Sequence, residues 1–343
     1  MFSFLHTQPL GINIVAGVVG IAFLIAAADQ AVKRLIGLAT YFDLSTTFMG
    51  MTVVSLATSI PEITAHLTAS AGILRGTMDP KIASAIVLGA NIGSDVVQQT
   101  LILGMVVFFA GTLYFRRYFL WKSMLPMIGT TVMCIILGWD RYYSRWDGLI
   151  LFGTFIVYTY YLYRDERKHY QKEEPAEAAG KEEDVPKTGR EALIWGLYAM
   201  AAMVVTIISA DMVLRVTEGI VQSTGVSGSL IGVMTLGIAS ALPELSTAIS
   251  GIGNKEHGIS LGTLIGSNIT NPLVAIGGGA LVSGYWVPGP LVRWDLPWET
   301  GTGLILWGIL WLTKGRLNRA GAIYLMVLYF VYVGMRFAFF AVD

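Results

Sequence analysis

The chain has 343 residues, of which 54% are hydrophobic and only 13% charged, with a formal net charge of zero. A soluble domain carries about 25% charged residues, so this composition points to a membrane protein with many spans, and the charge balance gives no polyanion-binding signature. A single cysteine, Cys134, excludes an intrachain disulfide framework and a thiolate metal cluster, and with only four histidines (His6, His66, His169, His257) the pattern argues against zinc or copper.

The N-terminus, Met1 to Leu10, lacks the basic region of a signal peptide, so the first apolar stretch is expected to stay as a helix. A span needs about 20 mainly apolar residues. Ten stretches qualify, near 11–28, 45–74, 82–112, 118–138, 147–163, 191–214, 227–252, 258–283, 298–313 and 320–341. The second, third, seventh and eighth are rich in Gly, Ser, Thr and Pro and are expected to pack inside the protein, away from lipid. Tyr114, Tyr142, Trp146 and Trp286 fall near predicted ends, as interfacial anchors do.

The one polar stretch, Arg164 to Arg190, contains Lys-Glu-Glu-Pro and Lys-Glu-Glu-Asp and almost nothing to bury. It reads as a flexible linker, residues 164–190, between a first five-span half, 1–163, and a second, 191–343. With both termini outside, the inner loops and linker hold 16 Lys and Arg and the outer loops and ends 7. The positive-inside rule then places the linker in the cytoplasm, in the cell membrane of a prokaryote.

The chain repeats itself. Asp29 and Asp211, Gly50 and Gly232, Ala57 and Ala239, Pro61 and Pro243, and Glu62 and Glu244 are each 182 residues apart. A second block, Leu88 to Gln98, matches Leu261 to Asn271 at an offset of 173. Each half has an odd number of spans, so two homologous halves in series insert with opposite topology. The expected fold is therefore an all-α integral membrane protein. It has ten transmembrane helices as two inverted-topology five-helix repeats, with broken helices at the midplane, a secondary-transporter architecture.

Both Pro-Glu pairs interrupt apolar stretches. A proline inside a helix frees the carbonyl four residues back, here those of Ala57 and Ala239, with those of Thr58 and Ser240 in the loosened turn. A charge in hydrocarbon costs at least about 2.5–3.5 kcal/mol, so Glu62 and Glu244 are expected to face each other at mid-membrane and hold a cation. Calcium takes six to eight oxygens, and two carboxylates balance its charge; sodium can use the same oxygens. Gly93-Ser94 and Gly266-Ser267 allow close helix approach and offer hydroxyls. Gln98 and Asn271 lie one turn beyond each serine on the same face and offer amide oxygens. Asp95, whose repeat mate is Asn268, is open between a ligand or titrating group and a structural hydrogen bond to a neighbouring helix. Asp29 and Asp211 read as interfacial, and His66, whose repeat mate is Ala248, as a packing or hydrogen-bonding residue.

The two Pro-Glu blocks, each followed by a Gly-Ser-(Asn/Asp) block, resemble the α-repeats of the sodium/calcium exchanger branch of the calcium/cation antiporter superfamily. The likeness is most specific over residues 50–104 and 232–277. The family pattern Gly-Thr-Ser-hydrophobic-Pro-Glu stands here as Ala57-Thr58-Ser59-Ile60-Pro61-Glu62 and Ala239-Ser240-Ala241-Leu242-Pro243-Glu244. The resemblance implies a calcium site from the carboxylates of Glu62 and Glu244 and the carbonyls of Thr58 and Ser240. Sodium would share these and add Ser55, Ser59, Ser94, Gln98, Gly237, Ser267 and Asn271. It also implies that the first and sixth helices slide across a core of eight. The chain departs from the pattern at Ala241 (commonly serine), Asn271 (often aspartate), Gln98 (asparagine) and Asp95 (usually asparagine). Sodium-for-calcium antiport is the expected function, with proton/calcium exchange through Asp95 as the alternative. No cofactor, nucleic acid or obligate protein partner is expected beside the ions and the bilayer. An intramembrane hydrolase finds no His-x-x-x-His block, and His66 has no nucleophile partner at motif level.

Overall fold

Prolines and small residues decide where the helices of this chain break and where they touch. The computed structural model describes residues 10–41, 55–115, 117–169, 185–253 and 257–343. Gly50 of the repeat, Arg116, Lys255 and the body of the expected linker, 170–184, lie outside them.

The helices are α1 (Leu10–Tyr41), α2 (residues 55–74), α3 (Pro80–Ala110), α4 (Arg117–Leu137), α5 (Arg145–His169), α6 (Gly189–Thr224), α7 (residues 228–253), α8 (residues 257–283), α9 (residues 291–312) and α10 (Arg319–Phe339). Among the described residues, six segments are long and apolar enough to cross a bilayer: Gly11–Ala31, Pro80–Ala110, Arg117–Leu137, Gly189–Thr224, Gly228–Leu245 and Arg319–Phe339.

Local chemistry sets the ends. Asp79 caps α3 by accepting from the backbone N–H groups of Lys81 and Ile82, with Pro80 in the first turn. Thr188 caps α6 in the same way through Glu191, and Gly225 closes it in the left-handed conformation, φ +71°. α6 thus runs ten residues past its expected end at 214, and α1 runs on to Tyr41. Arg215, expected in an outer loop, is buried in α6, paired with Asp211 at 3.4 Å and donating to Thr77 in the α2–α3 turn. Asp29 likewise lies within α1, 2.8 Å from Lys33.

α1 and α6 pack on each other. Only 24% and 22% of their most apolar windows are buried, against 78% for α3, so this pair faces outward while α3 sits in the core. α3 crosses α7 at backbone contact. A methyl group on Gly93 would stand 2.6 Å from the Cα of Val233, and one on Gly237 would stand 2.8 Å from the Ser94 nitrogen. Small residues are what permits this approach.

Among the described residues, two short antiparallel ladders join the first five helices to the last five. β1 (Thr112–Tyr114), between α3 and α4, pairs with β4 (Arg316–Asn318), between α9 and α10. β2 (Tyr142–Tyr143), between α4 and α5, pairs with β3 (Tyr285–Trp286), between α8 and α9. Arg336, expected among the outer charges, is fully buried in α10. It forms an ion pair with Asp295 of α9 at 3.1 Å and donates to Ser229 of α7 at 2.6 Å, while Tyr332 donates to the same aspartate.

Candidate functional site

The helical breaks fall next to the two Pro-Glu pairs. α2 is helical over Ser55–Thr58, turns at Ser59 and resumes over Ile60–Leu74; α7 is helical to Ser240, turns at Ala241 and resumes at Leu242. Proline supplies no N–H and its ring crowds the preceding turn, so each break lies two residues before it. α3 and α8 are distorted in matching places. A wide π-helical turn covers Gln98–Ile102 in one and Asn271–Ile276 in the other, each starting on a candidate ligand. Such turns recur at functional sites.

These four helices bring the candidate residues into one buried cluster. Glu62 and Glu244 are both buried, within electrostatic reach of each other. Each takes one hydrogen bond from the serine of its own half: Ser94 to Glu62 at 2.9 Å, Ser267 to Glu244 at 3.4 Å. Each also lies beside a hydroxyl of the other half, Ser240 next to Glu62 and Thr58 next to Glu244. The halves are further tied by Ser55 to Thr270 at 2.8 Å and Thr58 to Ser267 at 3.2 Å. An amide relay continues across the boundary. Asn268 donates to Gln98 at 3.1 Å, Gln98 to Ser94 at 3.0 Å, and Ser94 to Glu62.

Asp95 is buried and accepts from Asn271 at 2.6 Å. The structural hydrogen bond to a neighbouring helix is therefore present, in the field of Glu299, Glu62 and Glu244. Gly237 packs against α3, and its carbonyl accepts the Ser240 hydroxyl at 3.4 Å. Ser59 is buried with its hydroxyl unpartnered.

Sequence reasoning missed part of the network. Asn268 appeared only as the mate of Asp95, and Thr270 and Asn91 were not singled out, although all three lie inside the repeated blocks. Glu299 lies near the predicted start of a span, where a charge reads as interfacial. In the structure it is buried and accepts from Thr131 of α4 at 2.7 Å.

The donor set suits a hard cation. One oxygen of each carboxylate, Glu62 Oε2 and Glu244 Oε2, has no hydrogen-bond partner, nor have Ser59 Oγ, Asn268 Oδ1 and Asn271 Oδ1. An unsatisfied buried polar atom costs about 1–3 kcal/mol, and a hard cation takes such carboxylate, hydroxyl and amide oxygens.

The profile of the family described as "Sodium/calcium exchanger protein" matches the chain over residues 12–164 and again over 194–338. Among curated relatives, the sodium/calcium exchanger MaX1 of Methanosarcina acetivorans is 22% identical over 95% of this chain and 99% of its own length. The putative antiporter CaxA of Alkalimonas amylolytica is 25% identical over 77% of this chain and 79% of its own. A solved structure of the sodium-calcium exchanger NCX_Mj superposes with a TM-score of 0.62 at 20% identity, covering 95% of this chain and 99% of that one. At this identity the likeness establishes the fold.

Proposed function

The chain belongs to the sodium/calcium exchanger family of membrane antiporters, and we propose that it moves calcium against sodium by alternating access, both ions competing for Glu62 and Glu244. The observation that carries this is the mirrored state of the two carboxylates. Each is buried, each is held by one serine of its own half, and each keeps one oxygen free of hydrogen bonds. The carbonyls of Thr58 and Ser240 complete the calcium site. Ser55, Ser59, Ser94, Asp95, Gln98, Gly237, Ser267 and Asn271 serve sodium around it.

Competition follows from charge. Two carboxylates out of water are costly until a cation neutralises them, so one divalent ion, or sodium in its place, is what allows the site to close. On the α1–α6 side, Leu24, Ala210, Val213 and Leu214 line the wall beside Glu62. These apolar groups seal a neutral site cheaply and a charged one at high cost. The outward-facing pair α1 and α6 is then the element that slides across the other eight helices. The family match favours sodium as the coupling ion over the proton.

Ten crossings in two inverted five-helix halves agree with the ladders. β1 and β4 must share one membrane face, as must β2 and β3. Ten crossings put the first pair on one face and the second on the other. In this reading both termini are outside and residues 164–190 are cytoplasmic. Sodium-driven calcium-45 uptake into proteoliposomes tests the site: Glu62→Gln and Glu244→Gln should each abolish it. Normal flux in either variant would show that the ions are held elsewhere.

A further inference from the structure

His66 stands one turn after Glu62, on the same face of α2. The two residues, together with Asn91 of α3 and Ser240 of α7, line a cavity of about 30 Å³, room for a water molecule or a small ion, since one water needs about 10–15 Å³ on this measure. Among mostly apolar neighbours, three of its lining residues each carry a buried atom without a hydrogen-bond partner: Glu62 Oε2, His66 Nε2 and Asn91 Oδ1. The geometry points to a mixed nitrogen–oxygen site here for a first-row divalent cation of the Mn2+ type, rather than to one more oxygen site for calcium. This inference rests on the reading that Glu62 holds the transported cation.

The imidazole is held as a metal-ligating imidazole is held. His66 Nδ1 lies 3.3 Å from the Tyr285 hydroxyl. That hydroxyl reaches the His66 carbonyl at 2.9 Å and Ser70 Oγ at 2.6 Å, and Ser70 in turn reaches the Gly279 carbonyl at 2.9 Å. Tyrosine has one hydroxyl proton, and either the His66 carbonyl or Ser70 takes it. Its contact with Nδ1 is therefore one in which Nδ1–H donates, which leaves the lone pair on Nε2. A hydrogen bond from the other ring nitrogen to a fixed partner is the usual support of a histidine ligand. The Val87 carbonyl also reaches the ring, but Nε2 makes no hydrogen bond to it.

The feature belongs to one half alone. The repeat mates of His66 and Asn91 are Ala248 and Leu264, both buried and apolar. The second half does without polar groups at these positions, so the fold does not require them. Calcium coordinates oxygen, whereas imidazole suits the first-row transition ions. One imidazole among oxygens, with no thiolate and no second imidazole in the set, matches Mn2+ better than zinc or copper. Glu62 and the nearby Glu244 balance its two charges.

Mn2+ bound to the purified wild-type protein, examined by pulsed electron paramagnetic resonance, should show coupling to an imidazole nitrogen, and His66→Phe should lose it. In proteoliposomes His66→Phe should raise the Mn2+ concentration that half-inhibits calcium-45 uptake, relative to the variant's own calcium half-saturation, by about 10-fold or more, the scale on which metal-site groups act. Absence of Mn2+ binding, bound Mn2+ without nitrogen coupling, or an unchanged ratio would each overturn the inference. The wild-type spectrum decides even if the variant fails to fold. If Glu62→Gln abolishes calcium flux while no nitrogen is seen, this inference alone falls. If Glu62→Gln exchanges calcium normally, the parent reading falls first.

Discussion

Exchanging the two members of the Asp95–Asn271 pair probes the site without removing either Glu. The structure shows Asn271 Nδ2 donating to Asp95 Oδ1 at 2.6 Å, with both residues buried. Asp95→Asn removes the carboxyl group beside Glu62 and Glu244 and replaces it with an amide. A buried hydrogen-bonding group left unsatisfied costs about 1–3 kcal/mol, which corresponds to about 5- to 150-fold in an equilibrium constant. The sodium concentration that half-activates calcium-45 flux should rise within that range. Asn271→Asp alone sets two carboxylates against each other in the field of Glu299. It should lower thermal stability in detergent, and sodium should recover part of the loss. The double exchange, Asp95→Asn with Asn271→Asp, restores one carboxylate and one amide in contact, now with the donor on α3. It should recover most of the affinity and stability lost in the single variants. A double variant no better than the worse single one would refute the idea that the pair acts as a unit, because non-interacting sites add.

Two further outcomes follow from the fold. Arg336→Met leaves Asp295 buried and uncompensated and should cost about 3–5 kcal/mol, read as a lower unfolding midpoint in detergent; adding Asp295→Leu should recover much of it, and an additive loss would contradict the pairing. Cysteines placed at the exposed positions Asp140 and Lys314 should react with an impermeant maleimide from opposite sides of the membrane, with the buried Cys134 silent. Labelling from the same side would rule out five crossings between them.

The spacing of apolar stretches and the two Pro-Glu pairs were legible because they are local. Proline breaks a helix wherever it sits, and a repeated carboxylate in an apolar run stands out whatever surrounds it. Helix ends were less legible. Hydropathy stops at Leu214, yet α6 continues to Thr224 because Arg215 finds Asp211 and Thr77 and stays buried. Arg336 was misplaced, and Glu299 passed over, for the same reason: composition registers a charge, but not whether a partner on another helix waits for it.

By itself, then, the amino-acid order determined a polytopic membrane chain and marked the Pro-Glu and Gly-Ser blocks that recur in it. Only the tertiary structure decided how these groups pair. Asn268 with Gln98, Asn271 with Asp95, Ser55 with Thr270 and Thr58 with Ser267 all join residues from different halves. They meet because backbones of opposite halves touch at Gly93 and Gly237, and close approach of that kind is a property of two surfaces together. The single imidazole beside Glu62 shows the same limit. On α2 it is one polar residue in a helix; what fixes its ring is the tyrosine 219 positions away.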